Sequence, residues 1–130
     1  MNKFVGLAIC LNIVVTASHA SDRFSECVAL STEINKYLPQ MGSKYTRVEG
    51  SACLPNGKRT ILLYRMTFTL SKQEVDFSTI ANLRKTLPKS WCTSPDQRPL
   101  IDKYDIRYTY LDKSGVFIDD INVKIEDCKN

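Results

Sequence analysis

Four cysteines set the tightest bound on how this chain can fold. Cys27, Cys53, Cys92 and Cys128 lie 26, 39 and 36 residues apart, and a fifth, Cys10, falls among the first twenty residues. No two of the four form a C-x-x-C pair, so a thioredoxin-like redox motif and the close pairs of a four-cysteine metal site are both missing. An even set of widely spaced cysteines is instead the pattern of disulfides in an oxidising compartment.

The N-terminus supports that compartment. Asn2 and Lys3 give a short positive region, and Phe4 to Val15 is an apolar run too short to span a bilayer. Ser18-His19-Ala20 then offers small residues around a cleavage site before Ser21. Residues 1–20 therefore read as a secretory signal peptide and 21–130 as a single domain, periplasmic or secreted. The cut changes the composition. Of 18 Lys plus Arg against 14 Asp plus Glu in 130 residues, only Lys3 is removed, so the net charge goes from +4 to +3. Cys10 leaves, and so does His19, the one histidine. About 110 residues can bury a core, so bridges reinforce a fold rather than replace one.

Along residues 21–130, hydrophobic period assigns the elements. Residues 22–38 read as a helix, with Phe24, Cys27, Leu30 or Val28, Ile34, Tyr37 and Leu38 recurring at three and four and Pro39 closing it. Residues 43–53 read as a weaker strand, followed by a turn at Leu54-Pro55-Asn56-Gly57. Residues 59–70 are the best strand: Leu62, Tyr64, Met66, Phe68 and Leu70 alternate on a core face, and the other face begins covered at Ile61 and Leu63 and ends wet. Ser71 to Glu74 fits a capping box, and the helix after it carries Val75, Phe77, Ile80, Leu83 or Arg84, Leu87 and Trp91. Pro88 predicts a kink or a restart there. A short helical turn within 96–103 leads to a strand over 104–111. Asp112 to Gly115 makes a hairpin loop, and a last strand covers 116–126. Its apolar phase flips at Asp119-Asp120, which predicts a β-bulge. The order α-β-β-α-(short α)-β-β predicts an α+β fold, with helices on one face of a four-stranded antiparallel sheet.

Placement of the elements favours Cys92 with Cys128 and Cys27 with Cys53. Cys92 ends a helix packed on the sheet and Cys128 ends the last strand. Cys27 faces inward from the first helix, near the end of the first hairpin strand. Crossed pairings remain open on these grounds.

Catalytic chemistry finds little to work with. Without histidine, Ser-His and Cys-His machinery and His-containing zinc sites are excluded. The glycines are scattered, so no phosphate-cradling loop exists. Asp119 and Asp120 are neighbours on a strand and point to opposite faces. Asp102 and Asp105 flank a loop, and Asp112 belongs to a turn. No cofactor and no metal are expected. Charge is uneven: residues 36–107 carry thirteen bases and six acids. Lys58, Arg59, Arg84, Lys85 and Lys89 are the candidate basic face for an anionic partner, although +3 overall is far from a nucleic-acid binder.

One ordered series of residues is familiar. Leu83-Arg84 to Leu87, Trp91-Cys92-Thr93, Arg98-Pro99-Leu100, Tyr108 and Tyr110, Asp112-Lys113-Ser114-Gly115 and Asp127-Cys128 follow one another over about 45 residues. The series resembles a group of small, mostly uncharacterised proteobacterial periplasmic or secreted proteins that includes a quorum-sensing-regulated virulence factor. The resemblance implies an α+β exported domain with Cys92 and Cys128 joined, and it brings no catalytic residues. Together these readings point to a non-enzymatic exported binding or accessory module. Its partner would be a protein or an envelope component, with no nucleic acid and no membrane span. The alternative is a cell-wall hydrolase working through Asp and Glu, which needs two facing carboxylates about 5–9.5 Å apart in a concave site.

Overall fold

The structure, a computed structural model, describes residues 22–129. The expected signal peptide at 1–20 lies outside the described residues. Helix α1 spans residues 22–35, one turn shorter than its apolar period suggests. Cys27 and Ser31, four apart, are its buried positions, whereas Tyr37 lies past its end and is 75% exposed. Then come β1 (Gln40–Met41), β2 (Thr46–Asn56), β3 (Arg59–Phe68), α2 (Phe77–Thr93), α3 (Arg98–Lys103), β4 (Asp105–Leu111) and β5 (Phe117–Val123). Short 3-10 turns lie at Lys72–Glu74 and Ile125–Cys128.

The sheet has five strands in the order β1-β2-β3-β4-β5, which corrects the expected four. It is also mixed rather than antiparallel: β3 and β4 run parallel, with Leu62 beside Ile106, Tyr64 beside Tyr108 and Met66 beside Tyr110. The reason lies in the connection. Two antiparallel hairpins, β2–β3 and β4–β5, are joined by a crossover that contains α2, and such a crossover returns the chain to the end from which β3 started. The two residues of β1 are too few to show a period.

Other boundaries moved for local reasons. The β2–β3 hairpin turns at Gly57-Lys58, with Asn56 opposite Arg59 and Gly57 at φ +62, so Leu54, Pro55 and Asn56 belong to the strand. Ser71 and Glu74 do form a capping box, but it closes the 3-10 turn. Helix α2 has its own cap, Asp76, whose carboxylate accepts from the Ser78 N–H at 3.0 Å. Pro88 neither stops nor restarts α2, which runs on to Thr93. The bulge falls next to its expected place. Tyr110 pairs with Asp119 and Leu111 with Phe117, leaving Ile118 as the extra residue.

Strand alternation sends Leu62, Met66, Phe68, Ile106, Tyr110, Ile121 and Val123 to one face, where Ile80 and Trp91 of α2 and Ile101 of α3 cover them. The structure pairs Cys27 with Cys53 and Cys92 with Cys128, with Cα separations of 6.1 and 5.3 Å. The first bridge holds α1 on β2, and the second holds the end of α2 on the turn after β5. Asn35 of α1 also closes the outer edge of β2. Its side chain accepts the Ser51 N–H at 2.7 Å and donates to the Ser51 carbonyl at 3.0 Å, as a neighbouring strand would.

Asp112 ties the two hairpins together. Its buried carboxylate accepts backbone N–H groups of Ser114 (2.8 Å) and Val116 (2.9 Å) in its own loop and of Lys72 (3.0 Å) after β3. The Val116 N–H foremost holds this carboxyl below the ordinary 3.8, with burial opposing. An unfolded chain therefore takes up this proton first as pH falls, and the stability that Asp112 provides is present above about pH 4 and lost below it. Asp112→Ala should cost about 2–3 kcal/mol at neutral pH, because three donors lose their acceptor. It should also flatten the fall in melting temperature between about pH 5 and about pH 3. Thermal melts of both proteins at the two pH values check this; an unchanged acid slope would count against the clamp.

Candidate functional site

Two depressions are candidates. The first is an apolar groove of about 270 Å³ between α2 and the loop that joins β1 to β2. Thr79, Leu83 and Leu87, spaced by four, present one face of α2 to it. Met66 and Phe68 of β3 and Tyr108 and Tyr110 of β4 line it from the sheet. The far wall is Gly42, Ser43, Tyr45 and Thr46.

That wall is firmly held. The Gly42 and Ser43 N–H groups both donate to the Thr46 carbonyl (3.0 and 3.2 Å), and the Thr69 N–H donates to the Tyr45 carbonyl (2.8 Å). A Cβ on Gly42 would come within 3.3 Å of Val48, so a side chain there would press the loop away from β2. Tyr45 is half-exposed at the groove, with the Lys44 ammonium 5.3 Å from its ring centre. Met41 and Phe77 are also exposed, but Met41 pairs with Arg47 and so projects from the other face of the sheet, and Phe77 lies off the Thr79–Leu83–Leu87 face of α2. An aromatic side chain left half-open on the wall of an apolar groove is a common mark of a protein contact.

The tyrosines beneath are structural. Tyr64, Tyr108 and Tyr110 stack across β3 and β4, with ring centres 5.3 and 6.4 Å apart. The Trp91 indole N–H donates to the Tyr108 hydroxyl at 2.9 Å. Burial pushes Tyr108 up to about 12, the Trp91 hydrogen bond pulling the other way, and it raises Tyr64 and Tyr110 as well. These hydroxyls stay protonated at neutral pH and offer polar atoms without charge.

The second depression is polar, about 420 Å³, and lies at the β2–β3 turn. Asn56, Lys58, Arg59, Asp105, Lys124, Glu126 and Asp127 line it. Asp105 is fully engaged: Arg59 Nε donates to it at 2.9 Å and Asn56 Nδ2 at 3.0 Å, while Arg59 Nη2 reaches the Ile101 carbonyl at 3.2 Å. Asp127 accepts the Lys124 N–H at 2.9 Å.

The acids of this chain are mostly occupied in this way. Asp76 caps α2, Glu74 closes its box on Ser71 and Glu49 holds Arg47. Hydrogen bonds to those partners keep all three carboxyls below their ordinary range. A glycosidase acid needs the opposite shift, upward. Among the described residues, no three His, Cys, Asp or Glu side chains gather at metal-binding range.

The five predicted basic residues fall in two places. Lys58 and Arg59 share the polar depression, and Arg59 is paired with Asp105. Arg84, Lys85 and Lys89 lie on α2. Arg84 pairs with Asp119 of β5, and Lys85 borders a shallow depression with Ser78, Thr79, Ala81 and Asn82. The apolar groove was not anticipated. Its only trace in the sequence is the Thr79-Leu83-Leu87 spacing, which also fits an ordinary core face.

Among the described residues, no helix is long and apolar enough to cross a membrane. No protein-family model matches the chain. No curated protein matches its sequence. Solved structures do share the fold. A Pseudomonas aeruginosa protein inferred to be secreted superposes with TM-score 0.72 at 15% identity, over 85% of this chain and 96% of that one. EpsS, the pilotin of the Vibrio vulnificus type 2 secretion system, gives 0.69 at 14% identity, over 87% and 97%. AspS, a type II secretion system pilotin from Vibrio cholerae, gives 0.64 at 15% identity, over 87% and 98%. At such identities the likeness establishes the fold: this chain has an architecture also found in an inferred secreted protein and in secretion-system pilotins.

Proposed function

We propose that this protein is a non-enzymatic accessory module of the cell envelope, exported by residues 1–20, that docks an apolar segment of a protein partner between α2 and the β1–β2 loop. The observation that carries the reading is the apolar groove with the half-exposed Tyr45 on its wall. Its volume falls below the roughly 300–1,000 Å³ of small-molecule sites and suits a few apolar side chains instead. The pilotin neighbours support a role beside secretion machinery, and the disulfides support the periplasm or the exterior. The shared fold brings no support for a link to quorum sensing or virulence. The hydrolase alternative gains no support, because Glu49, Glu74, Asp76, Asp105, Asp112 and Asp127 serve as caps, clamps and ion-pair partners.

Leu83→Arg tests the groove. It places a charge on a half-buried groove wall and should weaken partner binding by more than about tenfold, or 1.4 kcal/mol. A photo-crosslinking residue at Tyr45, in cells that make the protein, should yield a discrete adduct that Leu83→Arg removes. The same crosslinker at Lys129 serves as the control. Equal adducts from both positions, or one that survives Leu83→Arg, would reject the groove as the docking site.

A further inference from the structure

The second face of the sheet bears a line of cations. Helices α1, α2 and α3 all attach to the Leu62–Met66 face, through Cys27, Ile80, Trp91 and Ile101. Alternate residues of β2 to β5 point the other way. Register places Arg47 of β2 opposite Thr67, two residues beyond Arg65 of β3. Arg107 of β4 lies opposite Leu63, two residues before Arg65. Lys124 follows Val123, the partner of Ile106, and so continues the line beside Asp105 at the end of β5. Arg47, Arg65, Arg107 and Lys124 thus form a diagonal, each step crossing one strand and slipping two residues. With strands about 4.8 Å apart and about 3.3 Å per residue, each step is about 8 Å and the whole line about 25 Å.

The charge along the diagonal is only partly neutralised. Glu49 binds Arg47 through two hydrogen bonds of 2.8 and 3.0 Å. Arg107 Nε donates to the uncharged Asn122 at 2.9 Å, which leaves its remaining N–H groups available. The nearby acids Asp105 and Asp120 are occupied by Arg59 and by the Thr109 hydroxyl. Among the described residues, Arg65, Arg107 and Lys124 form no ion pair.

From this register the geometry points to a binding surface for a linear acidic polysaccharide, lying along the Arg47–Arg65–Arg107–Lys124 diagonal. A row of cations at regular spacing complements a chain with regular negative charge, and the Thr67 and Thr109 hydroxyls and the Asn122 amide beside it suit a hydroxyl-rich polymer. Phe117, opposite Leu111 at the end of β5 away from Lys124, is the one aromatic residue of the strands on this face and lies off the line, so nucleic-acid bases would find no run of rings to stack on. Met41, Leu54 and Phe117 are the exposed large apolar residues of this face, and they lie apart on β1, β2 and β5 rather than in one patch, which gives a lipid surface little to hold. This surface is separate from the apolar groove and does not depend on it.

The test is titration of the purified full chain with fluorescently labelled alginate, a linear polyuronate, with neutral dextran as control. Saturable binding to alginate alone is expected, weakening about tenfold between about 50 and about 200 mM salt. Arg65→Glu with Arg107→Glu should weaken it at least about tenfold, with Arg65→Gln as a milder substitution if the double variant melts early. Lys85→Glu with Lys89→Glu on α2, and Leu83→Arg in the groove, should leave it unchanged. Loss of binding in the α2 variant as severe as in the sheet variant would overturn the assignment. So would tighter binding to single-stranded DNA, or binding to anionic vesicles without binding to alginate.

Discussion

Trp91→Ala should cost about 3–5 kcal/mol of stability and lower the melting temperature by about 15–30 °C. Trp91 is 1% exposed and joins α2 to β3, β4 and the C-terminal turn at once. Its ring centre is 6.3 Å from that of Tyr64 and 6.5 Å from that of Tyr108, the latter edge-on. Alanine would open a cavity between helix and sheet and take the indole N–H from the Tyr108 hydroxyl. Cys92, the next residue, holds the local backbone through its bridge to Cys128, so the site cannot collapse freely to fill the space. Trp91→Phe separates the two effects, since it keeps most of the volume and loses only the donor. It should recover more than half of the loss. Denaturant titrations of both variants give the answer; a loss below about 1.5 kcal/mol for alanine would mean that the bridge, not the indole, organises this junction.

How far the sequence foretold this arrangement depends on how local each cause is. The alternation Leu62, Tyr64, Met66, Phe68 is local, and it marks the central strand and its core face correctly. The same run places Ile61 buried and Arg65 exposed on the second face, as read. Helix α2 was legible in its apolar spacing but not in its start, because two acids two residues apart, Glu74 and Asp76, both make caps and only geometry assigns one to each element. Strand direction is not local. Nothing in residues 59–68 or 105–111 says that they run parallel; that follows from the path of the crossover between them. Sites suffer most from this limit. Five basic residues near one another in sequence were separated between a strand turn and a helix, while Arg47, Arg65 and Arg107, spread over sixty residues, fell into line through register alone. The apolar groove likewise joins residues 42–46 to 79–87 and to two strands, a gathering that no period in any one segment encodes.

Removing both disulfides should leave the chain unfolded or barely folded at about 37 °C. The bridges close loops of 26 and 36 residues. Loop-closure entropy assigns them about 3.5 and about 4 kcal/mol. The two loops do not overlap in sequence, so the contributions should add to about 7 kcal/mol, against a total of about 5–15 kcal/mol for a domain of this size. Single-bridge variants, with serine for Cys27 and Cys53 or for Cys92 and Cys128, should each fold and melt earlier. The four-serine variant should lose its cooperative transition. The same dependence links the fold to its compartment, since reducing conditions remove both bridges together. Melts of the oxidised chain, the chain under reductant and the four-serine variant should therefore separate the first sharply from the other two. A reduced chain that kept a cooperative melt within a few degrees of the oxidised one would show that the core suffices, and the physical reason for requiring export would be gone.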